Sequence, residues 1–271
     1  MIYLKSFKLS DEKLKCPNIY PFNVFRGREG LAFYFEPITV LYGNNGSGKS
    51  TLLNVIADTL DIKGKELATP NTFGNDNYCA RFSNGCAAGL GEDESGRTIK
   101  GLPRESRYIK SEDILYEIKK IQQRQVLSDG MVYDRVKAGE SVDAAQAFLE
   151  TKLGKKQQGF IEFSQEKFSN GETALMYFKD YIRPDALYLL DEPEVSLSPG
   201  NQVELANMIN EMARLLGCQF ILATHSPFML GTLNAKIYDL DSSDYHVAQW
   251  SELSNVRYFY EFFKKHEGEF S

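Results

Sequence analysis

Four short stretches of this 271-residue chain carry residue types that could do chemistry on a phosphate. The sharpest is Gly43-Asn44-Asn45-Gly46-Ser47-Gly48-Lys49-Ser50, followed by Thr51, which fits the pattern G-x-x-x-x-G-K-[ST]. Phosphates need closely spaced backbone N–H donors; glycines let the chain curl around them, and a following helix adds the positive end of its dipole. Lys49 is then expected to reach the β/γ-phosphates, and the Ser50 hydroxyl to sit on Mg²⁺. The second stretch, LYLLDE from Leu187 to Glu192, is an apolar run ending in two adjacent carboxylates. Asp191 is suited to hold Mg²⁺ and Glu192 to orient and deprotonate an attacking water. In the third, Ala223-Thr224-His225-Ser226-Pro227, one of only three histidines leaves a buried apolar run, from where it could reach a γ-phosphate and the lytic water. The fourth is Phe168-Ser169-Asn170-Gly171-Glu172. Ser169 and Glu172 form an S-x-x-E capping box, so a helix is expected to start there with free N–H groups suited to an anion.

The surrounding sequence predicts the elements that must position these groups. LAFYFEPITVLY, residues 31–42, reads as two strands broken at Pro37, the second running straight into the glycine-rich turn. Lys49 to Leu60 has the length and apolar spacing of a helix. ALYLL at 186–190 and CQFILA at 218–223 suit buried parallel strands, and the intervening Asn201–Leu216 reads as a helix stopped by Gly217. Strands are expected at Lys236–Leu240 and Tyr245–Gln249, and a helix near Val256–Lys265. Residues 61–110, dense in Gly, Asn, Asp and Pro, suit short strands and loops. Helices are expected to open at Ser111 and to run from Ser141 to about Leu153. Strands alternating with helices point to an α/β fold with a mainly parallel sheet. The chain reads as one domain, 1–271, with a loop-rich and helical insertion at 61–165 and a helix at 166–183.

Composition narrows the function classes. The chain has 31 basic and 37 acidic residues, a net charge of −6, and 42% apolar residues. That is a globular composition with a real core, which excludes fibrous, collagen-like and disordered readings. Cys16, Cys79, Cys86 and Cys218 form no C-x-x-C pair and no His-linked metal spacing, so a reducing, cytoplasmic setting is expected. No apolar run approaches the length of a membrane span, and the first residues, MIYLKSFKLSDEKLK, alternate apolar with polar instead of forming a signal peptide. An acidic total weighs against a chain coated in nucleic acid.

GNNGSGKST, FSNGE, LYLLDEP and ATHSP, in that order, resemble the Walker A, signature, Walker B and switch-histidine motifs of the ABC ATPase superfamily. The likeness is strongest to its soluble RecF, SMC and OLD-like branch and small bacterial ATPases, and it covers roughly residues 1–60 and 160–240. It implies an ABC-type P-loop fold with antiparallel N-terminal strands and a helical signature subdomain. It also implies that two ATPs and their Mg²⁺ are sandwiched between two head-to-tail copies of the chain. Ser169, Asn170, Gly171 and Glu172 of one copy would then face the nucleotide held by Gly43–Thr51 of the other. Glu194–Ser198 falls where the family has its D-loop. Where the family has a Q-loop glutamine, the chain offers Lys110-Ser111-Glu112-Asp113, resembling a form with an acidic residue in its place; Glu112 is thereby a candidate metal or water contact. Phe82-Ser83-Asn84-Gly85 repeats part of the signature without its capping Glu, and reads as a decoy. Tyr20, Phe22 and Phe25 precede the loop at a distance suited to stacking on adenine.

The expected function is a soluble ATPase whose ATP-driven homodimerisation switches a protein effector, in genome maintenance or defence. Three rivals stand beside it: a nucleic-acid-binding clamp, a transporter's nucleotide-binding subunit, and a P-loop kinase of a small metabolite. The chain lacks long heptads and basic runs, its signature departs from LSGGQ, and a kinase would leave FSNGE and ATHSP without a task.

Overall fold

The structure is a computed structural model. It describes the chain except residues 17, 67–76, 94, 111, 114–115, 117–130, 134, 138, 152, 155–174, 176–177, 180, 196 and 271. Two compact units are distinguished: Met1–Ser111 with Ile182–Val195 and Pro199–Ser271, and Glu112–Tyr181 with Ser196–Ser198.

The first unit is built on five parallel strands. β3 (Ile38–Tyr42), β5 (Arg107–Lys110), β6 (Leu187–Asp191), β7 (Gln219–Ala223) and β8 (Lys236–Asp239) lie in the order β5-β6-β7-β3-β8. Every residue of β3, β6 and β7 is buried, as expected of parallel strands covered on both faces. The apolar runs that predicted these strands therefore have the right physical cause. A smaller antiparallel sheet, order β2-β1-β4, comprises β1 (Leu4–Lys8), β2 (Ala32–Tyr34) and β4 (Ala87–Leu90). The expected α/β fold with a mainly parallel sheet and antiparallel N-terminal strands is borne out.

Helix α1 (Lys49–Thr59) presents Leu52, Leu53, Ile56 and Ala57 to a core shared with Leu4, Phe7 and Phe33 of the small sheet and Leu187, Leu189 and Ile221 of the large one. Alternation along the strands sends Tyr188 and Phe220 to the opposite face, where their rings stack at 5.6 Å. Burying a Leu, Ile or Phe side chain of this kind contributes ~1.5–3 kcal/mol. Polar side chains also tie the two sheets, one of them from the middle of the parallel sheet. Gln219 is fully buried, its Oε1 accepting from the Tyr3 and Leu4 amides (2.8 and 2.9 Å) and its Nε2 donating to the Leu4 and Glu36 carbonyls (2.8 and 3.2 Å).

The remaining described helices are α2 (Tyr78–Gly85), α3 (Val142–Leu149) in the second unit, α4 (Pro199–Leu215), α5 (Pro227–Thr232) and α6 (Ser254–Lys265). Ser141 caps α3 through the Ala144 amide, as the sequence suggests, whereas α2 arises unforeseen inside the loop-rich stretch, capped by Asn77. The FSNG repeat at 82–85 closes α2 instead of opening a helix, so its N–H groups are not free for an anion. The strand expected at Tyr245–Gln249 does not form; one isolated bridge, Tyr238 to Val247, stands in its place. Tyr245 has φ of 51°, which breaks the extended run, and its ring lies 4.2 Å beneath the Arg28 guanidinium.

Candidate functional site

Because β6, β7 and β3 are parallel neighbours, their carboxyl ends fall on one edge of the sheet, and the loops leaving them meet there. The Gly43–Gly48 loop joins β3 to α1. Gly46 and Gly48 have φ of 85° and 95°, conformations that L side chains rarely adopt. A Cβ on Gly48 would also come within 2.7 Å of Val24 Cγ1, so this turn excludes any larger residue on two grounds.

Lys49 starts α1, yet its side chain is only 5% exposed. Its ammonium folds back into the loop and donates to the Gly43 carbonyl (2.7 Å) and the Asn44 carbonyl (3.1 Å). Asn44 is held in turn by Asp241, whose carboxylate accepts from the Asn44 amide (3.0 Å) and Nδ2 (2.8 Å). Asn45 and Gly46 are exposed at the tip, and the Ser47 hydroxyl is buried with no hydrogen-bond partner among the described residues. Backbone donors at an open tip and a positive charge at its base form a cradle of the kind phosphate groups require.

Asp191 ends β6 beside this cradle. It is buried, accepts from the Ser50 hydroxyl, and lies 3.4 Å from the Tyr108 hydroxyl, while its Oδ1 has no partner among the described residues. Burial pushes its pKa up, opposed by the Ser50 hydrogen bond. A carboxylate with an orphan oxygen next to a threonine-or-serine hydroxyl of the loop fits a divalent cation. Among the described residues no group of three His, Cys, Asp or Glu could hold a metal by side chains alone, so a cation here would depend on Ser50, Asp191 and ligand oxygens.

Glu192 follows with φ of 46°, a left-handed turn that costs a non-glycine residue of order 1–3 kcal/mol and is held by its amide donating to the Ala223 carbonyl (2.9 Å). The turn sets its Oε1 3.4 Å from His225 Nδ1 and 3.9 Å from Lys49 Nζ. His225 leaves β7 half-exposed, and its carbonyl accepts from Asn255 Nδ2 at 3.2 Å. Lys49, Ser50, Asp191, Glu192 and His225 are thus brought together at one edge. Residues 169–172 and most of 166–183 lie outside the described residues. Glu112 is exposed and belongs to the second unit.

Three neighbours were not singled out as site residues by sequence reasoning. Glu194 is 6% exposed; its Oε1 accepts from the Thr224 hydroxyl and its Oε2 has no partner among the described residues. Burial pushes its pKa up. Thr224 Oγ1 also accepts from the Ser226 amide (3.0 Å), which pins the His225 turn to the loop that carries Glu192. The third acid of Asp191-Glu192-Pro193-Glu194 could have signalled Glu194, but nothing local marks Asp241 or Asn255. Of the three aromatics preceding the loop, Phe22 and Phe25 are buried against Phe82 at 4.9 and 5.3 Å between ring centroids. Tyr20 remains half-exposed, with a side-chain hydrogen bond to Thr51.

The chain is similar to proteins already known. A family model described as "AAA domain, putative AbiEii toxin, Type IV TA system" matches residues 63–231, a span that includes Asp191, Glu192 and His225. A thiamine import ATP-binding protein, ThiQ, from Chelativorans sp. (strain BNC1) is 26% identical over 200 residues, covering 70% of this chain and 67% of the relative. Among solved structures, the Smc head domain bound to the C-terminal domain of ScpA from Pyrococcus furiosus is similar over 98% of this chain and all of its own, at TM-score 0.47 and 15% identity. A nucleotide-free ATP-binding cassette from an ABC transporter is similar over 96% of each chain, at TM-score 0.44 and 14% identity.

Proposed function

The chain belongs to the AAA-domain family described as a putative AbiEii toxin of a type IV TA system, within the ABC-type ATPases, and from that membership we propose that it binds and hydrolyses ATP with Mg²⁺. The observation that carries this reading is the meeting of Lys49, Glu192 and His225, with the Glu192 carboxylate within 4 Å of Lys49 Nζ and His225 Nδ1. In the proposed reaction the Gly43–Thr51 loop holds the phosphates by its amides. Lys49 exchanges its carbonyl partners for β/γ-phosphate oxygens. Glu192 accepts a proton from the attacking water, and His225 holds the carboxylate in place and stabilises charge on the transferred group. Ser50 and Asp191 would hold Mg²⁺, which supplies charge neutralisation on the phosphates.

The finer reading is that ATP closes a head-to-tail homodimer, with Ser169, Asn170, Gly171 and Glu172 of one copy against the nucleotide of the other, and that this closure switches a protein effector. The order of the four motifs supports it, and the family description favours a defence role for the output. Glu112 stays a candidate water or metal contact from its position in the sequence, and Tyr20 is the aromatic best placed to meet the base.

Two variants test the core of this. Lys49→Ala is expected to weaken ATP by at least ~100-fold, since it removes a buried charge-assisted partner; a titration with unchanged affinity would refute the phosphate cradle. Glu192→Gln is expected to keep ATP binding and lose turnover, and to accumulate an ATP-bound dimer by light scattering. Hydrolysis at the wild-type rate in that variant would remove Glu192 from the reaction.

A further inference from the structure

Helix α6 begins as part of the site's scaffold. The Ser254 hydroxyl lies 3.2 Å from the Tyr42 hydroxyl, the Asn255 amide donates to that same hydroxyl at 3.0 Å, and Asn255 Nδ2 donates to His225. Leu253 and Val256 are buried. Beyond this first turn the apolar face that seats Val256 continues at helical spacing as Phe259, Tyr260 and Phe263, with Phe262 and Tyr258 beside it. These side chains are not covered. Tyr258 is 70% exposed, Tyr260 53%, Phe263 51%, Phe262 48% and Phe259 40%, and Phe270 just past the helix is 74% exposed. Their ring contacts among the described residues are local to this segment: Phe262 with Phe263 at 5.6 Å, Phe263 with Phe270 at 6.2 Å, Phe262 with His266 at 4.7 Å, and the Tyr260 ring with Arg257 at 5.5 Å and Lys264 at 5.6 Å.

At ~200 Å² per aromatic side chain, the open fractions leave on the order of 600 Å² of aromatic surface. That exceeds what single exposed residues account for and approaches the ~800 Å² per partner of a stable interface.

The charges beside this face identify its occupant. Arg257, Glu261, Lys264 and Lys265 line one flank of the helix, and Glu267 and Glu269 follow its end, so basic and acidic residues balance from 257 to 269. A membrane-binding helix carries an excess of Lys and Arg, and a basic or acidic ligand would call for the opposite single sign; a balanced stripe complements itself. In an antiparallel pair of helices, like flanks face each other. A two-fold axis between Phe262 and Phe263 then sets Lys264 of one copy against Glu261 of the other. The same axis sets Arg257 against the Glu267–Glu269 turn, while the Phe259, Phe262 and Phe263 rings interleave at the centre.

We propose that α6 is a homotypic docking surface, pairing antiparallel with α6 of a second copy of this chain without need of ATP. The pairing is independent of the ATP-closed dimer proposed above. It would leave a nucleotide-free protein already dimeric through a helix that is hydrogen-bonded to the His225 loop.

Sedimentation of this 271-residue chain without nucleotide tests this. Wild type is expected to dimerise in the micromolar range, within the affinities open to interfaces of this size. The double variant Phe259→Ser, Phe263→Ser is expected to raise the dissociation constant at least ~30-fold, as for a central aromatic anchor. Far-UV circular dichroism and thermal melting check that the variant folds. Lys264→Glu and Glu261→Lys are each expected to weaken self-association, and their equimolar mixture to recover it as a mixed dimer. Lys49→Ala is expected to dimerise like wild type, so loss of ATP binding and loss of α6 pairing are read separately. A monomeric wild type without nucleotide, an unchanged dimer in the Phe259/Phe263 variant, or no recovery in the mixture would each overturn the proposal. Binding of a monomeric wild type to anionic vesicles would reassign the face to a membrane surface.

Discussion

The carboxyl edge of the parallel sheet and helix α6 are both dense in charged and aromatic residues, and they treat them in opposite ways. At the sheet edge most polar groups are held by others: Lys49 by two carbonyls, Asn44 by Asp241, Thr224 by Glu194. Among the described residues of this edge Asp191 Oδ1, the Ser47 hydroxyl and Glu194 Oε2 are left without partners, the first two beside the cradle that a nucleotide would fill. In α6 the aromatics lie open and touch mainly one another. Buried groups with an unmet valence point to a small polar ligand, because desolvation has already been incurred. Open apolar groups point to a macromolecular surface, because only a large area can remove them from water.

Several measurements would break or sharpen this contrast. The largest expected effect is chemical: Glu192→Gln should lower turnover by ~10²–10⁴-fold, the range for a lost general base, whereas Phe263→Ala should leave the turnover of each site near wild type. Next is packing. Phe220→Ala in β7 should cost ~3–5 kcal/mol in denaturant unfolding, against less than ~0.5 kcal/mol for Phe263→Ala in the monomer, where the ring is half exposed. Equal costs would erase the distinction between the regions.

Gln219→Leu should destabilise by ~2–3 kcal/mol, because it strands the buried backbone groups of Tyr3 and Leu4. The smallest effect expected is one of pH. Burial raises the pKa of Glu194, so folding binds its proton more tightly than the unfolded chain does. The cost of this residue is absent below the ordinary carboxylate value, grows as pH rises toward the raised folded value, and is constant above it. Glu194→Gln should therefore melt ~2–4 °C above wild type at pH 8 for each ~1 kcal/mol relieved. The gap should close toward pH 4, and a gap independent of pH would show that the carboxyl is not the cause.

Much of the site was legible in the sequence because its chemistry is local. The Gly46 and Gly48 conformations, the Lys49 position at a helix start and the carboxylates ending β6 all follow from residue types at fixed spacing. Residues 61–110 were legible only as irregular. Asn77 capping α2 and the short β4 are stabilised by packing on α1 and β1, which periodicity cannot display. The strand expected at Tyr245–Gln249 failed for a similar reason. Its alternation was sound, but stacking under Arg28, a residue remote in sequence, accompanies a backbone conformation no strand accommodates.

By itself, then, the sequence determined the parallel-sheet core, the glycine-rich loop and the identity of the groups beside it, since burial pattern and turn chemistry act over a few residues. Tertiary structure alone decided that Asp241 would clamp Asn44, that Glu194 would reach Thr224, and that α6 would be anchored at its first turn and bare thereafter. Each of those depends on where strand ends far apart in the chain arrive on the same sheet edge, which is set by strand order.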